Sequence, residues 1–205
     1  MNFDEFHTLI RSQFTETPIR FSDLRLKVHA YHRGINVVKL YPYDMGKSGC
    51  KTAHYVLKDQ PENDMRESAH DVPCFNAEIR FCETLKDEHN DFNFVMTKEL
   101  MHVFDTENQR VSNAHSFKKL LRDAENRPPP GASLSEEFYA EHLAYWRALV
   151  ILCPIEKRDR LKVEVESVNA SQFDVSEAFL IRNTDVSTVL SDNFIVARNY
   201  LLRLT

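Results

Sequence analysis

The chain has no Cys-x-x-Cys pair, no apolar run long enough to cross a bilayer and no excess of positive charge. Each absence excludes something. Cys50, Cys74, Cys82 and Cys153 fall short of the cysteine density of a secreted scaffold and read as free thiols in a reducing cytoplasm. A membrane-spanning helix needs roughly 20 consecutive apolar residues, and no run approaches that. The net charge of −5 argues against broad affinity for nucleic acid or an anionic membrane, though not against a local basic patch. The opening MNFDEFHTLIRSQF is acidic and amphipathic, so it reads as neither a secretory nor a transit signal. No internal repeat or low-complexity tract stands out beyond the proline triplet in Arg127-Pro-Pro-Pro-Gly131.

What is present is ordinary for a globular chain. Of 205 residues, 42% are hydrophobic and 28% charged, enough to bury a substantial core. Phe3, Phe6, Ile10 and Phe14 recur at helical spacing and predict a first helix. A second is expected after Ser22 as N-cap, ending near Gly34. Ile35–Tyr41 reads as a strand stopped by Pro42, with Ala53–Leu57 and Ala77–Cys82 as further strands. Met45–Lys51 reads as a loop or hairpin and Gln60–Pro73 as a surface loop. A helix is expected over Ser112–Ala124. A longer one opens with a Ser133/Glu136 capping box and runs to about Leu152 before Pro154. Val175–Leu180 and Val186–Leu190 suggest short helices, and Leu190–Leu204 a final helix or strand. The expected class is α+β, mainly helical, with about three strands packed on a central helix. The expected division is 1–155 plus a helical C-terminal segment, 156–205, packed on it.

The central helix is Asn93–Asp105, NFVMTKELMHVFD. Met96, Leu100, Val103 and Phe104 form an apolar stripe, and Lys98, Glu99 and His102 lie on the other side with Asp105 one turn on. Residues three and four apart share a face, so Lys98, Glu99 and His102 are neighbours. Lys98-Glu99-Leu100-Met101-His102 differs at one position from the zinc-peptidase motif His-Glu-x-x-His. In that motif two histidines hold the metal and the glutamate is the general base. Lysine, with a reference pKa of ~10.4, offers no lone pair while protonated. On the long helix Glu137, Glu141, Ala144 and Ala148 follow one line, which lets another helix approach and points Glu141 at His102.

Two blocks carry a resemblance. Asn93–His102 is similar to Arg-Phe-Thr-Leu-Ala-His-Glu-Leu-Gly-His, and Leu143–Pro154 to Glu-Ala-Asn-x-Phe-Ala-x-x-Leu-Leu-Met-Pro. In this order they resemble the ImmA/IrrE family of small cytoplasmic zincin-type metallopeptidases. Many of these act on repressors in phages, mobile elements and stress responses. The resemblance covers residues 20–155 in outline and is specific only at the two blocks. It puts Glu99 on the general base, His102 on the second zinc ligand, Lys98 on the first, and Leu143 on the downstream glutamate ligand. Two of three ligands are thus missing, with Glu141 and His142 near enough in sequence to replace the third. The implied molecule is a zincin-like fold with a damaged metal site.

Three functions stay open at this stage. One is a catalytically inactive, peptidase-like domain that binds a protein partner such as a transcriptional repressor, needing no cofactor. The second is a metal-dependent peptidase with Glu99 as base and zinc held by His102 with Glu141 or His142. The third is an interaction or scaffold protein with an accidental Glu-x-x-His. Lys98 is expected to pair with Glu99 or Glu141, and Asp105 to cap or orient the helix end. His29, His32, His54, His70 and His89 read as solvated, and Arg158, Arg160 and Lys162 as a solvated basic cluster. Cys153 is expected to pack as a small apolar residue. Asp174, Glu177 and Asp185 against a single Arg182 argue against direct nucleic-acid binding by Val175–Leu190.

Overall fold

Eight α-helices and one three-stranded sheet make up residues 1–14, 18–44, 52–58, 75–109 and 136–203, the part of the chain described in this computed structural model. The class is α+β. The expected loops Met45–Lys51 and Gln60–Pro73, the helix Ser112–Ala124, and Ser133 with its capping box lie outside the described residues.

Helix α1 (Phe3–Gln13) opens with a capping box between Asn2 and Glu5 and buries Phe3, Phe6 and Ile10. Helix α2 (Phe21–Tyr31) does not use Ser22 as its cap. It begins two residues earlier than that cap implies, at Phe21, whose N–H donates to Asn93 Oδ1 at 2.7 Å from the central helix. A tertiary acceptor thus satisfies one of the orphan donors at the helix start.

The strands β1 (Ile35–Tyr43), β2 (Ala53–Lys58) and β3 (Phe75–Cys82) form a mixed sheet in the order β1-β3-β2. β1 runs parallel and β2 antiparallel to β3. Pro42 does not stop β1. It sits on an edge strand, where its missing N–H leaves no ladder bond unmade. Four residues earlier the Val38 N–H meets His29 Nε2 at 2.7 Å, so α2 lies along that edge. Side chains alternate across the sheet, and Val38, Ala77, Ile79 and Phe81 are buried on the face toward the helices. Tyr55, paired with Ile79 in the ladder, points the same way.

Helix α3 (His89–Leu100) is packed between the sheet and helix α4 (Glu136–Leu152), and Glu99 and Thr97 are buried along with Met96 and Leu100. The expected helix over Asn93–Asp105 is corrected in its extent: the α-helix ends at Leu100, and Met101–Phe104 continue as a tighter 3-10 turn capped by Asp105. α4 approaches closely because Ala144 and Ala148 are fully buried, and Tyr145 meets Phe94 edge-on at 5.7 Å. Helices α3 and α4 therefore pack as the stripe and the alanine line lead one to expect.

Pro154 ends α4 but also starts a helix that the sequence reading misses, α5 (Ile155–Glu166), accepting the Arg158 N–H at 2.8 Å. Here the expected solvated basic cluster is corrected. Arg158 is buried, and its guanidinium donates to the carbonyls of Val189, Leu190 and Ser191. It thus closes the end of α7 (Val186–Leu190) before α8 (Asp192–Leu201). Helix α6 (Gln172–Phe179) ends on Leu180 in the left-handed conformation, and the Leu180 carbonyl accepts from Asn93 Nδ2 at 3.1 Å. Asn93 also donates to the Ile19 carbonyl at 3.2 Å. One buried amide therefore joins α2, α3 and the C-terminal helices. Cys82 and Cys153 are buried and unpaired, and burial pushes the Cys153 thiol well up.

The solvated reading fails for two histidines: His29 accepts the Val38 N–H, and the His32 ring packs against Phe104 at 5.5 Å. His54 and His89 are exposed, as expected. No helix among the described residues is long and apolar enough to cross a membrane.

Candidate functional site

The last turn of α3, the 3-10 turn after it and the middle of α4 bring six ionisable side chains together. Lys98 Nζ lies 3.0 Å from Glu99 Oε1 and also pairs with Glu141 from α4. His102 Nδ1 meets Asp105 Oδ2 at 2.6 Å, and its Nε2 lies 3.3 Å from Glu141 Oε1. That second approach is an ion-pair contact without hydrogen-bond geometry, since Nε2 is buried and has no hydrogen-bond partner. Arg147 Nη1 donates to Asp105 Oδ1 at 2.8 Å and reaches the Met101 carbonyl at 3.5 Å. The ring of Tyr55, from β2, stacks on His102 with centroids 5.9 Å apart.

Local structure explains the assembly. The 3-10 turn swings His102 under Asp105, three residues on, where the carboxylate fixes the imidazole. Arg147 then ties that carboxylate to α4. The Ala144 and Ala148 line brings α4 close enough for Glu141 to span the gap between Lys98 and His102.

The electrostatics follow from burial and pairing. Burial by itself disfavours the charged imidazole, but the hydrogen bond to Asp105 and the nearby Glu141 outweigh it and push His102 up to about 10. Burial likewise opposes charge on Lys98, yet Glu99 and Glu141 hold its ammonium well above the usual lysine range. Burial alone would raise Glu141, but His102 and Lys98 draw it down to about 2. Three basic side chains (Lys98, His102, Arg147) thus face three acidic ones (Glu99, Asp105, Glu141).

Of the residues singled out in the sequence, Lys98, Glu99, His102, Asp105 and Glu141 come together here. His142 does not. It is exposed on the other side of α4, where Trp146 Nε1 donates to its Nε2 at 3.1 Å. Leu143 is buried and apolar. Arg147 and Tyr55 are the members that sequence reasoning misses. The signal for Arg147 is its lone charge within the otherwise apolar run Leu143–Cys153. Tyr55 has no such signal, because its part depends on strand register.

His102 and Glu141 are the side chains of this group that could hold a metal, and each already has partners within it. Lys98 engages Glu141, and Asp105 takes the His102 Nδ1. Among the described residues, no three His, Cys, Asp or Glu side chains are grouped to hold a metal. Catalytic zinc usually takes three protein ligands. No family model, curated protein or solved structure matches the chain.

Proposed function

We propose that this is a catalytically inactive, metallopeptidase-like domain of ImmA/IrrE type that works by binding a protein partner. The observation that carries the reading is Lys98, which stands at the first ligand position of the resembled motif and bridges Glu99 and Glu141. An ammonium between the two carboxylates supplies positive charge that a dication would supply in a working zincin. A buried carboxylate is tolerated only when paired, so the lysine lets the inherited acidic framework persist without the metal. The resemblance to repressor-directed peptidases makes a repressor-type protein the partner class to try first, with α3 and α4 as a rigid platform.

The test is metal content and hydrolysis in the wild type and in Lys98→His. Wild type is expected to lose zinc on dialysis against a mild chelator and to leave a repressor-type protein uncleaved. Lys98→His frees Glu141 and restores the motif, so it is expected to gain zinc. One zinc per wild-type chain surviving dialysis, or cleavage by the wild type that a chelator abolishes, would overturn the proposal.

A further inference from the structure

Cations elsewhere on this acidic chain are mostly neutralised locally: Arg11 by Glu156, Arg80 by Glu78, Lys86 by Glu83, Lys162 by Asp192 and Arg182 by Asp185. The stretch from Arg20 to Lys39 breaks that pattern. Arg20, Arg25, Lys27, Arg33 and Lys39 form no ion pair among the described residues, and Asp23 is the sole carboxylate within the stretch. Glu78, opposite Lys39 in the β1–β3 ladder, is already held by Arg80.

The same surface exposes apolar bulk. Leu26 is 59% exposed, Tyr31 49% and Tyr41 43%, three of the eight exposed large hydrophobic side chains among the described residues. Leu26 lies one turn before Ala30 on the outer side of α2, and Lys27 one turn before Tyr31. Arg33 stands in the short turn to β1, and Lys39 and Tyr41 alternate onto the sheet face away from the helices. His29 fastens α2 to the β1 edge through the Val38 N–H, which places the helix beside that strand.

We infer that the outer surface of α2 and β1 is a docking site for an acidic, leucine-bearing protein segment. Charge complementarity sets the sign of the occupant. Leu26 sets its kind, because a phosphate backbone gains nothing from an exposed leucine among the cations, whereas an amphipathic acidic helix buries it. The chain's net charge of −5 also repels a long polyanion while tolerating a compact acidic segment. The site shares no residue with the Lys98 cluster.

The test uses the intact protein and three labelled probes followed by fluorescence anisotropy. These are a short peptide with glutamates and leucines at helical spacing, an oligoglutamate of equal charge, and a single-stranded oligonucleotide. The glutamate–leucine peptide is expected to bind saturably and to weaken with added salt. It is expected to bind about tenfold more tightly than oligoglutamate. Leu26→Ser, and separately the pair Lys27→Glu with Arg33→Glu, should each weaken it by about tenfold while circular dichroism stays that of the wild type. Amide shift changes on adding peptide should concentrate in α2 and β1. Lys98→His should leave the peptide affinity unchanged, which separates failure of this inference from failure of the proposed function. Tighter binding of the oligonucleotide, no saturation by the peptide at millimolar concentration, equal affinity for oligoglutamate, or insensitivity to these substitutions would overturn the inference.

Discussion

Replacing Lys98 by methionine keeps the length of the side chain and removes the charge that Glu99 and Glu141 share. Deleting one member of a fully buried ion pair costs about 3–5 kcal/mol, because the other charge is stranded. The two carboxylates are not equally stranded here. The Glu99 side chain is 4% exposed and the Glu141 side chain 35%. Glu99 therefore carries most of the penalty, while water and His102 compensate Glu141. The expected loss is ~2–3 kcal/mol, below the fully buried range. For a chain of this size that lowers the thermal midpoint by ~5–10 °C. The assay is urea unfolding at neutral pH, with the midpoint shifted and the slope unchanged. Adding Glu99→Gln to Lys98→Met should recover most of the loss, since the stranded charge is then gone. Glu141 is drawn down to about 2 from 4.5, so its contribution is present above pH 4.5 and lost as pH falls through 2. Lys98 supplies part of that contribution, so the gap between variant and wild type should narrow in the same acid window. A loss under about 0.5 kcal/mol, the range of an ordinary surface substitution, would show that Lys98 is solvated and the cluster is not a coupled unit.

His102 titrates in the opposite sense. Its folded pKa of about 10 lies above the unfolded 6.5, so its stabilisation is complete below pH 6.5 and lost as pH rises through 10. Wild-type thermal midpoints should fall across that window, by a total on the order of a few kcal/mol in stability. In His102→Phe the same curve should be much flatter, and a parallel curve would refute the assignment. Val168 and Leu180 both hold positive φ, 61° and 52°. Val168 is 89% exposed, so Val168→Gly relieves strain without losing packing and should stabilise by about 1 kcal/mol. Leu180 is 7% exposed, so Leu180→Gly should instead destabilise by roughly 2 kcal/mol of lost burial in denaturant melts.

Local chemistry by itself determined most of the elements, α5 excepted, and the identity of most of the cluster. The apolar spacing of Phe3, Phe6 and Ile10 marks α1, the β-rich runs mark all three strands, and Pro154 marks the end of α4. Glu99 and His102 share a helix face by spacing alone, and the line Glu141, Ala144, Ala148 foretells a close helix with a carboxylate aimed across. Such features depend on neighbours three or four residues away, which a linear pattern records. Only the tertiary structure decided the rest, because the partners come from distant parts of the chain. Phe21 opens α2 because Asn93 accepts its N–H; Ser22 is not needed as a cap. Pro42 stays in β1 because the strand order leaves β1 at an edge. Arg158 reads as a solvated charge until the carbonyls at the end of α7 gather around its guanidinium. His142 and Glu141 adjoin in sequence, yet helix rotation sends one to solvent and the other between Lys98 and His102. Arg147 and Tyr55 join the cluster through packing and strand register, and burial makes their contacts with Asp105 and His102 count, because water no longer competes for them.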